Sequence, residues 1–170
     1  DASQAHKTQG SRDVSTFFEH FGNGAYILGF TAVLYGAGEI WHSRGVRKTA
    51  LLSLESFATT SVIVQVTKVV VGRARPRTGH DHLKFHPFTT DNDYNAFPSG
   101  HTAAAFSVAT VISDQAHSVP VTVLVYSVAT MVGFSRIHDN EHWASSVIAG
   151  AALGYFVAKK ICGRHRSAQP

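Results

Sequence analysis

The chain has 170 residues, of which 44% are hydrophobic and only 15% charged, with a formal charge of +4. That length makes one domain with a buried core, and so few charges require much of the chain to be packed or in lipid. A single cysteine, Cys162, excludes an intrachain disulfide, and no repeat or low-complexity tract divides the sequence.

Taken in chain order, the pattern predicts helices throughout. Asp1–Ser11 reads as a polar, mobile tail, followed by an amphipathic segment at Asp13–Phe21 that Asp13 or Ser15 could cap. Apolar helical runs follow near Ala25–Trp41 and Lys48–Val71, the latter ended by Gly72 and Pro76. The stretch Arg73–Phe97 has no sustained period and is long for a loop, which in a compact domain usually means function. Pro98 fixes the approach to Thr102–His117. The runs Pro120–Phe134 and Ala144–Cys162 come next, and Gly163–Pro170 reads as a second mobile tail. The β-branched Val119–Val125 could be a strand, but its continuation through Phe134 fits a buried helix better. The expectation is an all-α bundle of about six helices forming a single domain over residues 1–170.

Three separated clusters carry the chemistry: Lys68-x6-Arg75-Pro76, Pro98-Ser99-Gly100-His101, and Ser135-Arg136-x5-His142. They supply three cations, a hydroxyl, the N–H groups of a helix start and two imidazoles. Arginine offers a planar fork that meets phosphate oxygens two at a time, and lysine adds a compact charge. Ser99 and Gly100 stand where a loop enters a helix, a ready anion site. Histidine titrates near neutrality and suits both nucleophilic attack and proton transfer. In an up-down bundle, the end of the third run, the start of the fourth and the connection after the fifth all fall at one end. Topology alone therefore gathers the clusters at one mouth.

Each residue alone has an ordinary structural explanation. Lys68 could complement a helix C-terminus and Ser99 could be an N-cap. Arg73, Arg75 and Arg77 could form a solvated basic loop. The region lacks interleaved aromatics and any nucleic-acid fold motif, so no nucleic acid partner is expected. Eleven histidines invite a metal, and His80-Asp81-His82 with His86 resembles a ligand set superficially. The segment lacks fixed zinc-site spacing and reads as a solvated or substrate-facing loop.

In order and spacing the three clusters resemble the signature of the type 2 phosphatidic acid phosphatase superfamily, which also holds class A acid phosphatases and vanadium haloperoxidases. The resemblance spans roughly Lys68 to Gly154. It implies that His142 attacks phosphorus and carries a phosphohistidine. His101 would protonate the leaving group, and Lys68, Arg75, Ser99, Gly100 and Arg136 would hold the phosphate oxygens. It implies no metal or other cofactor, with vanadate as a phosphate mimic and inhibitor. One position departs: the family's last Asp, which orients the nucleophile, falls on Ser146. A hydroxyl can orient an imidazole but cannot balance a developing imidazolium as a carboxylate does. Ser146 is therefore expected as a weakened catalytic partner, with Asp139 or Glu141 able to replace it only by folding back.

The implied activity is metal-independent hydrolysis of phosphomonoesters or diphosphates, with lipid phosphates such as phosphatidate or polyprenyl diphosphate first. Phe85, Phe88, Tyr94 and Phe97 could receive an acyl or prenyl chain or simply anchor their loop. The alternatives are a soluble phosphatase for small polar esters, a phosphate-binding envelope protein without turnover, and a vanadate-dependent peroxidase. Arg44, Arg47, Lys48, Lys159, Lys160, Arg164 and Arg166 mark the far end as a cytoplasmic face. Glu39, Glu55, Gln65 and Asp114 interrupt the apolar runs, and the chain starts Asp1-Ala2-Ser3, as after removal of a leader. The basic end speaks for membrane association with the site outside the cytoplasm, whereas the interruptions and the polar start favour a periplasmic or otherwise extracytoplasmic body, soluble or peripheral. The oligomeric state is not legible.

Overall fold

The computed structural model of the protein describes residues 9–167. The described residues form six α-helices: α1 (Gln9–Gly22), α2 (Gly24–Ile40), α3 (Arg44–Val71), α4 (Gly100–Ala116), α5 (Val119–His138) and α6 (Ala144–Ser167). Among the described residues there is no strand, only an isolated antiparallel bridge between Arg73 and Phe85. The all-α bundle is as expected, and Val119–Val125 is helical.

Helix boundaries follow local chemistry. Asn23 accepts a hydrogen bond from the Ala25 N–H at 2.9 Å and so opens α2, and Ser43 accepts from Val46 to open α3. Gly72, at φ +57°, closes α3 by donating its N–H to the Lys68 carbonyl. A Cβ there would lie 1.8 Å from the His86 carbonyl oxygen, so only glycine lets the following loop fold back on the helix end.

The outer helices extend into both expected tails. α1 begins at Gln9, so neither Asp13 nor Ser15 caps it; Ser15 instead donates to Asp139 Oδ2 at 2.7 Å. α6 is helical through Ser167, and its last turn is fastened. Arg166 reaches both Asp114 oxygens at 2.9 Å, and His165 lies 2.9 Å from Glu55. The remainder of the two tails, 1–8 and 168–170, lies outside the described residues.

α4 is the central helix, packed on α3, α5 and α6, and its residues from Thr102 to Ala105 and from Ser107 to Val111 are buried. α6 approaches it closely because Gly150 and Gly154 face its backbone. Cβ atoms at those positions would lie 2.5 Å from the Ser99 carbonyl and 2.1 Å from that of Ala103. This contact fixes the start of α6, and with it His142 and Ser146, against the start of α4.

The outer surface corrects the preference for a soluble or peripheral body. α3, α5 and α6 are long and apolar enough to cross a membrane, and only 17–33% of each apolar window is buried. Val62, Leu124, Ile148 and Phe156 all face outward. The interrupting carboxylates gather at the basic end, where Glu39 pairs with Arg47, Glu55 with His165, and Asp114 with Lys159 and Arg166. Gln65 stays exposed on α3. Ion pairing thus takes most of the polar residues off the spans that they interrupt in sequence.

Candidate active site

The 73–99 connection is held by its backbone. Arg75 N–H donates to Asp93 and Ala96 N–H to Arg73, and Gly72 and His86 close the loop's near side. Arg75 is thereby carried inward and buried. Its Nε donates to the Asn92 carbonyl at 2.8 Å and its Nη2 to Asn92 Oδ1 at 3.1 Å, while Nη1 pairs with Glu141. Arg77 lies 2.7 Å from Asp93 and 3.5 Å from Glu141. The basic run is therefore a set of fixed cations and not a solvated loop.

Ser99 is fully buried at the start of α4. Its N–H donates to the Ser146 carbonyl at 3.0 Å and its hydroxyl shares a hydrogen bond with that of Thr102 at 2.8 Å. It makes no side-chain cap to the helix backbone, which leaves the first-turn N–H groups to an outside acceptor. Lys68 reaches the same place: a Cβ built on Gly100 would lie 3.6 Å from its Nζ. Arg136, in the last turn of α5, is buried, with Nη1 2.8 Å from Glu19 and Nη2 3.4 Å from Asp139. Lys68, Arg75 and Arg136 all bear electrostatically on both His101 and His142, so the three clusters do converge.

His142 is 3% exposed, and its Nδ1 lies 2.8 Å from the Ala96 carbonyl oxygen. A carbonyl can only accept, so Nδ1 carries the hydrogen and Nε2 keeps its lone pair. Burial, assisted by the cations of Arg75, Lys68 and Arg136 and opposed by the Ala96 bond, pushes the imidazole down from 6.5 to about 3. The ring is therefore neutral, in the tautomer a nucleophile needs.

Where the sequence pairs Ser146 with His142, the structure sets the Ala96 carbonyl against His142 Nδ1. Ser146 is fully buried and its hydroxyl accepts from Arg73 Nη1 at 3.1 Å; the Ser145 hydroxyl accepts from the same nitrogen at 2.8 Å. Asp139 and Glu141 do not fold back either, since they serve Arg136, Ser15, Arg75 and Arg77. The sequence reads Arg73 only as part of a basic loop. It donates Nε to the His82 carbonyl, and its guanidinium sits 5.7 Å from the Trp143 ring and 6.0 Å from Phe85.

Of the aromatic loop residues, Tyr94 packs on the loop itself, 5.2 Å from His86 and 6.2 Å from His80, ring centre to ring centre, whereas Phe85 and Phe88 are exposed. Among the described residues no group of three or more His, Cys, Asp or Glu side chains could hold a metal ion. The large apolar cavity is elsewhere. It measures about 620 Å³ between α1, α2, α4 and α5, and is lined by residues such as Phe17, Phe21, Ile27, Val108 and Leu124. Its α4 wall runs from Ala105 to Ile112, beginning one turn from His101 and extending about 10 Å along the helix. Glu19, Ala96 and this cavity had no signature in the sequence, because each depends on an element brought in from a distance.

A helical bundle with this phosphate-suited end has known counterparts, and a model of the PAP2 superfamily matches residues 49–165. The chain belongs to that superfamily. Phosphatidylglycerophosphatase B of Bacillus subtilis (strain 168) is 29% identical over 161 residues, covering 86% of this chain and 73% of that protein. A lipid A 1-phosphatase of Porphyromonas gingivalis is 46% identical over 67 residues, which is 38% of this chain but 15% of that protein. A lipid A 1-phosphatase of Rhizobium etli is 26% identical over 160 residues, covering 84% of this chain and 66% of that one. The chain thus spans from under a sixth to about three quarters of these relatives. The crystal structure of a transmembrane PAP2 type phosphatidylglycerolphosphate phosphatase from Bacillus subtilis aligns with a TM-score of 0.76 at 24% identity, covering 99% of this chain and 83% of that one. Aquifex aeolicus LpxE aligns with a TM-score of 0.73 at 20% identity, covering 95% and 91%. Both share the fold.

Proposed function

We propose that the protein is an integral membrane lipid phosphatase that removes a phosphate from a lipid phosphomonoester or diphosphate by way of a phosphohistidine. The observation that carries this reading is His142, with Nδ1–H tied to Ala96 and Nε2 left nucleophilic in the field of Lys68, Arg75 and Arg136. In the first step the Nε2 lone pair forms an N–P bond as the ester P–O bond breaks. The departing oxygen takes its electron pair and a proton from His101; burial and the Arg136 cation hold that imidazole down at about 4 in the free protein, so it takes up its proton with the anionic substrate in place. Water then attacks the phosphohistidine, His101 takes the proton, and phosphate leaves His142 neutral. The guanidiniums, Lys68, Ser99 and the Gly100 N–H hold the phosphate oxygens; one such donor is typically worth about 10²–10³ in rate.

The lipid class is supported by the named relatives and by the apolar cavity that starts beside His101, large enough for part of an acyl chain. The outward apolar faces of α3, α5 and α6 favour insertion, and the basic far end favours a cytoplasmic placement of that end. The active site then opens at the opposite leaflet. Phosphate release from phosphatidate, phosphatidylglycerophosphate, lipid A, a polyprenyl diphosphate and p-nitrophenyl phosphate, in detergent with EDTA, tests the reading. Release from a lipid that His142→Ala abolishes is expected. Release from p-nitrophenyl phosphate alone would overturn the lipid assignment, and no release from any of them would overturn the enzyme.

A phosphate binder without turnover is the second reading, favoured by Ser146 alone. The orienting bond from Ala96 weighs against it, because the nucleophile keeps its tautomer without a carboxylate.

A further inference from the structure

Glu19 lies outside every phosphate motif, on the amphipathic α1, yet it reaches the pocket. Its Oε1 is 2.8 Å from Arg136 Nη1 and 3.8 Å from His101 Nε2. The Arg136 side chain is 6% exposed, and Nη1 is buried without a well-angled hydrogen bond. Its contact with Glu19 is therefore an ion pair that leaves the N–H directions of that nitrogen unspent. A buried guanidinium needs anions, and in the free protein Glu19 supplies one at Nη1 while Asp139 stands 3.4 Å from Nη2.

Resting on Arg136 as a phosphate ligand, we infer that Glu19 is an affinity-setting residue whose carboxylate stands in for a phosphate oxygen on Arg136 and must leave when phosphate binds. A phosphate monoester brings up to about two negative charges to the same guanidinium, so the two anions repel at one site. Glu19 is 38% exposed and rehydrates easily, whereas the phosphate is held by several cations at once.

Glu141 is differently placed. It is shared between Arg75 and Arg77, and its N–H is tied to the Arg136 carbonyl one residue before the nucleophile, so it belongs to the frame. Glu19 arrives on a separate helix, fastened beside the site by Ser15 to Asp139 at 2.7 Å and more weakly to the Ser135 carbonyl at 3.4 Å. The end of α1 presses on α4: a Cβ on Gly22 would lie 2.7 Å from the His101 carbonyl oxygen. Displacing Glu19 therefore loosens one of the polar fastenings of α1, the helix whose Phe17 and Phe21 wall the apolar cavity.

The test compares the wild type with Glu19→Gln, which keeps size and removes charge. Inhibition constants for inorganic phosphate and orthovanadate are measured beside kcat and KM. Both constants are expected to fall about threefold to tenfold, the range of a partly exposed ion pair. Unchanged or weaker anion binding would overturn the inference. So would a fall in kcat alone, which would make Glu19 a positioning residue for His101. Ser15→Ala is a second variant with the pocket's charges intact, and should shift both constants the same way by less. Hydrogen exchange in α1 should also rise on adding orthovanadate, and protection would count against displacement. A wild type that neither binds these anions nor turns over would bring down the functional reading, and this inference with it.

Discussion

The two ends of the bundle are both rich in cations and treat them oppositely. At the mouth, Arg136 has 6% of its side chain exposed, and Arg75 is held by Asn92 and Glu141. At the far end, the Arg166 side chain is 66% exposed and only that of its partner Asp114 is covered. Exposed pairs contribute roughly 0–1 kcal/mol, whereas burying a guanidinium costs several unless it is compensated. A fold gains little stability by burying cations at its mouth, so the arrangement there is read as serving a ligand, and that of the far end as serving orientation.

The sharpest break in this comparison is His142→Ala, which should lower phosphate release by about 10³ or more while the folded bundle persists by circular dichroism. Next comes a paired substitution. Arg136→Lys should cost about 10²-fold in kcat/KM because a point charge cannot replace a planar fork, while Arg166→Ala at the far end should change it by less than about twofold. If both fell equally, the ends would not differ in kind.

Acid titration should sharpen the contrast through His142. Its folded value is depressed from 6.5 to about 3, so between these limits the unfolded chain binds a proton that the folded chain refuses. Its contribution therefore destabilises the fold progressively as pH drops from about 6.5 towards 3, and His142→Gln should flatten that part of the stability profile. Protonation of His142 should not limit turnover in the free protein until the pH nears 3. The smallest effect is expected from Ser146→Asp. The new carboxylate would meet Arg73 first, so turnover should stay within about threefold of the wild type. A tenfold gain would show that Ala96 is an inadequate orienter.

Most of the candidate pocket was legible because its residues lie in three short motifs at fixed spacings, and an up-down bundle with helices of this length must bring their ends together. Lys68, Arg75, Ser99, His101, Arg136 and His142 were named from that pattern. Ser146 was misplaced for the same reason. The family pattern assigns an orienting role to its position, but a side chain's partner depends on what else is packed there, and here that is the Arg73 guanidinium. That helix reaches outward to Gln9 and to Ser167 was not legible, because at the second the last turn is held by ion pairs to distant residues.

By itself the sequence determined the helical class, the order of the elements and the set of phosphate-seeking groups, since periodicity, turn residues and motif spacing are local properties. Only the tertiary structure decided who serves whom. It put a backbone carbonyl behind His142, Glu19 on Arg136, and the stray carboxylates beside the far-end cations, so that the outward faces of three helices stayed apolar. Hydrogen bonds and ion pairs form between whichever groups the packing brings within about 3–4 Å, and nothing in the local sequence encodes a neighbour from a hundred residues away.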